Sequence, residues 1–253
     1  MSAGPAAVTV QPWVASAFRV MRRFRALRDA RRLRTPVGMI RTVVFDLDGT
    51  LVDSAADIHA SLDRLMAAQG LAGFTRPEVI GMIGDGVRAL VTKALTARDR
   101  PFDEAALDAF VADYTAEATA RTRPFDGIPA ALDSLAARGW RMAVCTNKPE
   151  AAARKLLEEL GMAGRFAALG GGDSFAVRKP DPGHLLATLA AAGGAKDRAV
   201  MIGDHRNDVL AAAGAGVPCI FAGWGYGPVA MADGAPVAAT PHDLPGMIDA
   251  LLA

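Results

Sequence analysis

The chain predicts an α/β fold, a doubly wound parallel sheet with an α-helical cap domain inserted after its first strand. Three observations carry this expectation. Short apolar runs recur between turn signals, and they alternate with segments of helical periodicity. One stretch, 57–123, breaks that alternation with helical patterns alone. Short apolar strands alternating with helices are the pattern of a parallel sheet covered on both faces.

The elements follow in order. Thr42–Leu47 reads as a buried strand that ends at Asp48-Gly49. Helical patterns then run over 57–69, 77–83, 87–97 and 103–121, broken at Arg76-Pro77 and Arg100-Pro101 and closed at Arg123-Pro124. Strands return at Arg141–Cys145, Ala199–Ile202 and Pro218–Phe221, with helices at Ile128–Ala137, Pro149–Leu160, Gly183–Ala192 and Asn207–Ala213. Gly139, Gly161 and either Gly214 or Gly216 stand where helix C-caps fall. The resulting division is an α/β core over 39–56 and 124–253, a helical cap over 57–123, and a basic extension over 1–38.

Composition narrows the class. The 253 residues are 51% apolar and 22% charged, enough for one large core or a core with a smaller appended domain. No apolar run reaches the ~18–20 residues of a membrane-spanning helix. Cys145 and Cys219, each inside an apolar run, read as reduced thiols of a cytoplasmic protein, and four scattered histidines form no zinc cluster. Charge is uneven: residues 1–38 hold eight arginines against Asp29, while the remainder holds 20 basic and 26 acidic residues. The extension has three readings: an upstream start with Met39 as the true initiator, a disordered tail, or a targeting leader. Set aside, it leaves a mildly acidic body without a nucleic-acid footprint. Neither a nucleic-acid nor a membrane partner is expected. Apolar helix faces leave self-association open.

In a doubly wound sheet, ligands sit at the carboxyl ends of the strands. Four polar clusters fall there: Asp46 and Asp48 after the first strand, Thr146 and Asn147 after the second, Asp204 and Asp208 after the third, and Lys179 in the loop Arg178-Lys179-Pro180-Asp181-Pro182. Each alone has a plain structural reading as a cap, a turn or a surface loop. Together they have a chemical one. Crowded carboxylates need a divalent cation, and all-oxygen ligation suits magnesium. A calcium loop fails, because Gly49 follows Asp48 directly. Lys179 balances a nucleophile and phosphate oxygens, and the Thr146 hydroxyl can donate to those oxygens.

These segments resemble the four motifs of the haloacid dehalogenase superfamily of phosphatases: Asp46-Leu47-Asp48-Gly49-Thr50-Leu51-Val52-Asp53-Ser54, Cys145-Thr146-Asn147-Lys148, Arg178-Lys179-Pro180, and Gly203-Asp204 with Asp208. They occur in the family's order and span nearly all of 39–253. Further pieces are similar to the bacterial phosphoglycolate phosphatase group of that superfamily: Gly127-Ile128-Pro129, Gly171-Gly172-Asp173-Ser174-Phe175 and Gly223-Trp224-Gly225-Tyr226-Gly227. The resemblance implies a small phosphorylated metabolite as partner, with hydrolysis of 2-phosphoglycolate to glycolate and phosphate through an aspartyl-phosphate. Asp46 would attack phosphorus and Asp48 would serve as general acid and base. Magnesium would be held by Asp46, the Asp48 backbone carbonyl and Asp204, with Asp208 close by. Thr146, Asn147 and Lys179 would hold the transferring group. Gly84, Gly86 and Arg88, in a segment resembling the group's substrate-meeting cap loop, would contact substrate.

Several alternatives share part of this pattern. Another small phosphate ester, pyrophosphate, or sugar-phosphate mutation would use the same chemistry under a different cap. The dehalogenase branch needs neither Asp48 nor Asp204, and a phospho-accepting receiver domain needs no cap and no acid two residues after the acceptor. The spacing Gly84-x-Gly86-x-x-Ala89 also fits a dinucleotide fingerprint, but no strand precedes it. His205 departs from the small residue that follows the motif-four Asp in related sequences. It is expected to face solvent at a helix start, the alternative being donation to substrate.

Overall fold

The computed structural model describes residues 40–117 and 119–252. The basic extension lies outside the described residues, and with it the three readings of its role.

Strand β1 (Thr42–Phe45) is wholly buried. The chain then turns back into β2 (Val52–Asp53), which pairs antiparallel with β3 (Arg123–Pro124), Val52 opposite Pro124 and Asp53 opposite Arg123. Between the two arms of this ribbon lie four helices: α1 (Ala55–Ala68), α2 (Arg76–Ile80), α3 (Val87–Thr96) and α4 (Glu104–Glu117). Thr75 starts α2 with a capping box, its hydroxyl accepting from the Glu78 N–H while the Glu78 carboxylate accepts from the Thr75 N–H. The buried Asp57 carboxylate ties the end of the insertion to its start, accepting from the N–H groups of Arg121 and Thr122 at 2.9 and 2.7 Å and from the Thr122 hydroxyl at 2.7 Å. The helices share their own apolar cluster, with Leu62, Met66, Val91 and Phe110 at its centre.

After β3 the alternation resumes with α5 (Ile128–Ala137), β4 (Arg141–Cys145), α6 (Glu150–Glu159), β5 (Ala168–Gly170), α7 (Pro182–Ala191), β6 (Ala199–Gly203), α8 (Arg206–Ala215), β7 (Cys219–Ala222), β8 (Val237–Ala238) and α9 (Leu244–Leu251). The six-stranded sheet has the order β5-β4-β1-β6-β7-β8 and is parallel throughout. Alternation along β1 divides the core into two layers. Val43 and Phe45 join Leu132, Leu135 and Leu156 on one face, while Val44 meets Leu185, Leu189 and Ala212 on the other. Each side chain of this size, fully buried, stabilises the fold by about 1.5–3 kcal/mol.

The parallel sheet and its flanking helices are those expected. Two pairings were not foreseen: the β2–β3 ribbon, and the edge strands β5 and β8. The last helical pattern stops at Glu117 instead of 121. Gly216, with φ +67°, caps α8, and Gly214 lies inside that helix. Both cysteines are free, and Cys219 is only partly buried. Among the described residues no helix is long and apolar enough to cross a membrane.

Candidate active site

Because β1, β4 and β6 run parallel, their carboxyl ends open on one edge of the sheet. Asp46 leaves β1 there, its N–H donated to the Ile202 carbonyl at 2.9 Å. Asp204 leaves β6 beside it and Asp208 lies in the first turn of α8, and one oxygen from each of these three acids lies within 4.8 Å of the others. Lys179 reaches in from the loop before α7. Its Nζ is 2.5 Å from Asp208 Oδ1 and 2.9 Å from Asp46 Oδ1. That loop is steadied by the buried His184, whose Nδ1 accepts the Lys179 N–H at 3.1 Å. Thr146, at the end of β4, is buried at the same edge and accepts the Lys148 N–H at 3.2 Å.

The electrostatics follow from this crowding. Burial, then the Asp46 charge, pushes the Asp204 carboxyl up to about 7. Opposing that, Asp204 accepts from the Thr50 hydroxyl and the Tyr226 N–H, both at 2.8 Å. Burial penalises the Lys179 ammonium, yet Asp208 and Asp46 outweigh it and hold the group above the usual lysine range. Burial also raises Asp208, with Lys179 pulling the other way. The 2.5 Å contact decides for an ionised pair. Three acids against one ammonium leave the cluster short of positive charge. Asp46 Oδ1, although beside Lys179, receives no well-directed hydrogen bond. A hard divalent cation such as magnesium fits this all-oxygen donor set.

The Asp48 carboxylate is separate from that cluster. Its Oδ1 accepts from the Ser54 hydroxyl at 2.6 Å, and Lys148 Nζ lies 3.1 and 3.2 Å from its two oxygens. For Asp48 as a metal residue, only its backbone carbonyl therefore suits the role, since the side chain is taken up elsewhere. Gly49 makes this turn feasible: it has φ +86°, and a Cβ there would stand 2.3 Å from Asp204 Oδ2.

The helical insertion roofs the edge. A cavity of about 40 Å³ lies between them, lined by Asp46, Asp48, Thr146, Asn147 and Lys148 below and by residues including Gly84, Gly86 and Phe110 above. At ~10–15 Å³ per water, this is room for only a few water-sized groups. Asn147 joins the two sides, its amide donating to the carbonyls of Gly84 at 3.0 Å and Lys179 at 2.9 Å. Asn207 adds a second link, donating to Asp85 Oδ1 at 2.8 Å.

Two expectations need correction. Arg88 is not brought to the cavity. It is the second residue of α3, where its guanidinium is exposed, paired in a fork with Glu104 at 2.9 and 2.5 Å and stacked on Phe102. His205 is not solvent-facing: it is half-buried, caps α8 by accepting the Asn207 N–H at 3.2 Å, and packs against Gly84, where a Cβ would stand 2.5 Å from its ring. Lys148, Tyr114 and Ser54 were not singled out from the sequence. Ser54 and Lys148 close two of the recognised motifs, so their positions were usable signals. Tyr114 lies mid-helix, and nothing local distinguishes it from a core aromatic.

The fold and the acid-lysine edge define a class, and comparison with known proteins agrees with it. Residues 40–216 match the family described as haloacid dehalogenase-like hydrolase, and the chain belongs to that family. Its relatives put it with the family's phosphomonoester hydrolases. A phosphoglycolate phosphatase of Agrobacterium fabrum is 45% identical over 75% of this chain and 83% of its own. One from Cereibacter sphaeroides is 40% identical over 83% of this chain and 99% of its own. Among solved structures, a predicted phosphoglycolate phosphatase from Haemophilus somnus has a TM-score of 0.77 at 26% identity, covering 83% of this chain and 99% of that one.

Proposed function

We propose that the protein is a magnesium-dependent phosphomonoesterase that works through an aspartyl-phosphate on Asp46, with 2-phosphoglycolate as its substrate. The observation that carries this reading is the pairing of Asp46 with Lys179 on one side of the site while Asp48 is held apart by Ser54 and Lys148. Two neighbouring acids thus have different surroundings, as a nucleophile and a proton carrier require. An Asp46 carboxylate oxygen attacks phosphorus as the phosphorus–alkoxide bond breaks. Asp48 gives its proton to the leaving oxygen, then takes one from the water that displaces Asp46 and releases phosphate. Lys179 and the Thr146 hydroxyl balance the charge on the transferring oxygens. Asp46, the Asp48 carbonyl and Asp204 would hold magnesium, with Asp208 beside them, and the ion supplies positive charge to the phosphoryl oxygens when bound.

The roof over 57–123 acts in this reading as a cap that selects the substrate, and the small cavity supports a small ester. The names of the relatives support 2-phosphoglycolate in particular. The free cysteines and the want of a membrane-crossing helix among the described residues accord with a cytoplasmic enzyme. The test is kcat/KM over a panel of 2-phosphoglycolate, sugar phosphates, nucleotides and pyrophosphate, each with magnesium and with EDTA. The reading expects 2-phosphoglycolate to rank first and EDTA to abolish turnover. A low rank for 2-phosphoglycolate would remove the substrate and keep the reaction class. Full turnover in EDTA would remove the metal.

A further inference from the structure

Among the described residues that line the cavity, Lys148 is the one cation, and Tyr114 is the one polar side chain contributed by the helical insertion. The two meet. Lys148 Nζ contacts the Tyr114 hydroxyl and stands 4.1 Å from the centre of its ring, while its other side faces Asp48 at 3.1 Å. Both side chains are almost wholly buried, and a buried ammonium requires a nearby anion. In this structure Asp48 is that anion. The proposed substrate brings a second anion, its carboxylate, into the same cavity, where Lys148 is the one cation among the described lining residues.

Geometry says where on the substrate that charge belongs. With phosphorus at Asp46 and the ester oxygen at Asp48, the next atoms of the leaving group fall beside Lys148 and Tyr114. The rest of the roof there, including Ile58, Leu90 and Phe110, is apolar and offers an anion nothing. The cations of the neighbouring helix α3 are committed elsewhere, Arg88 to Glu104 and Lys93 to Asp85. We infer that Lys148 and Tyr114 form a specificity subsite for a carboxylate bonded directly to the ester carbon. The pair selects short anionic phosphate esters over neutral ones. This inference rests on the proposed phosphatase reading of the same site.

The test compares 2-phosphoglycolate with 2-hydroxyethyl phosphate, which replaces the carboxylate by a hydroxymethyl group. Each is assayed with magnesium on the wild type, Lys148→Met and Tyr114→Phe, and folding of the variants is checked by circular dichroism. The wild type should prefer the carboxylate ester. Lys148→Met should cut that preference by about 10- to 100-fold, the loss expected for a charged hydrogen bond, chiefly through KM for 2-phosphoglycolate. Tyr114→Phe keeps the ring stacked on Phe110 and should lower the preference by a smaller factor. Equal losses on both esters would assign Lys148 to the support of Asp48 alone and overturn the subsite. So would a wild type indifferent to the carboxylate, although its turnover of the neutral ester would leave the phosphatase reading standing. Turnover of neither ester by the wild type would overturn the subsite as well, and only failure across the whole phosphate panel would count against the reading beneath it.

Discussion

Lys179 Nζ lies 2.5 Å from Asp208 Oδ1 with both side chains out of contact with water, and it is the only ammonium within reach of the three-acid cluster among the described residues. Removing it sets the acids against each other. Lys179→Met should cost about 3–5 kcal/mol of stability, the usual penalty for orphaning a buried charge. It should also lower kcat by about 10²–10³-fold through lost charge stabilisation. Magnesium should offset part of the stability loss. Thermal melts in EDTA and in magnesium check this, and an equal drop in both would show that the cluster does not take the ion.

Gly49 offers a test that removes no charged group. Its φ of +86° costs a residue with a Cβ about 1–2 kcal/mol, and that Cβ would meet Asp204 Oδ2 at 2.3 Å. Gly49→Ala should therefore lower the melting temperature and raise the magnesium concentration needed for half-maximal activity. Unchanged magnesium dependence would separate the turn from the metal site.

Acid stability should carry the mark of His184. Burial, then the Lys179 ammonium, pushes its imidazole down to about 4 from an ordinary 6.5. Above about pH 6.5 neither state is protonated and the group contributes no pH dependence. As the pH falls from there towards 4, the unfolded chain binds a proton that the folded chain refuses, so stability declines by up to about 1.4 kcal/mol per pH unit. His184→Asn, which keeps an acceptor for the Lys179 N–H, should flatten that decline. Urea denaturation at about pH 5 and about pH 7.5 measures the difference.

The parts of this molecule legible in the sequence are those set by strand ends. The short apolar run Val43–Phe45 followed by Asp46 places that acid at a sheet edge, and the runs before Thr146 and Asp204 do the same. Lys179 was legible through its motif. The residues misread or passed over depend on helix phase and on contacts distant in sequence. Arg88 looked poised beside Gly86, but α3 begins at Val87 and turns the guanidinium to Glu104, 16 residues on. Tyr114 reaches Lys148 across 34 residues, and Tyr226 accepts the N–H groups of Ser54 and Ala55 across more than 170. Strands as short as Ala168–Gly170 carry too few apolar residues to stand out from a loop.

The central claim is covalent transfer to Asp46. Asp48→Asn removes the proton carrier while leaving the nucleophile, so a rapid acid quench after mixing with substrate and magnesium should catch the phosphoenzyme. Peptide mass spectrometry should then find one added phosphoryl group on the peptide containing Asp46, and none when Asp46→Asn is combined with it. Asp46→Asn alone should abolish turnover. Full turnover by purified Asp46→Asn, or a phosphoryl group on any other residue, would contradict the account.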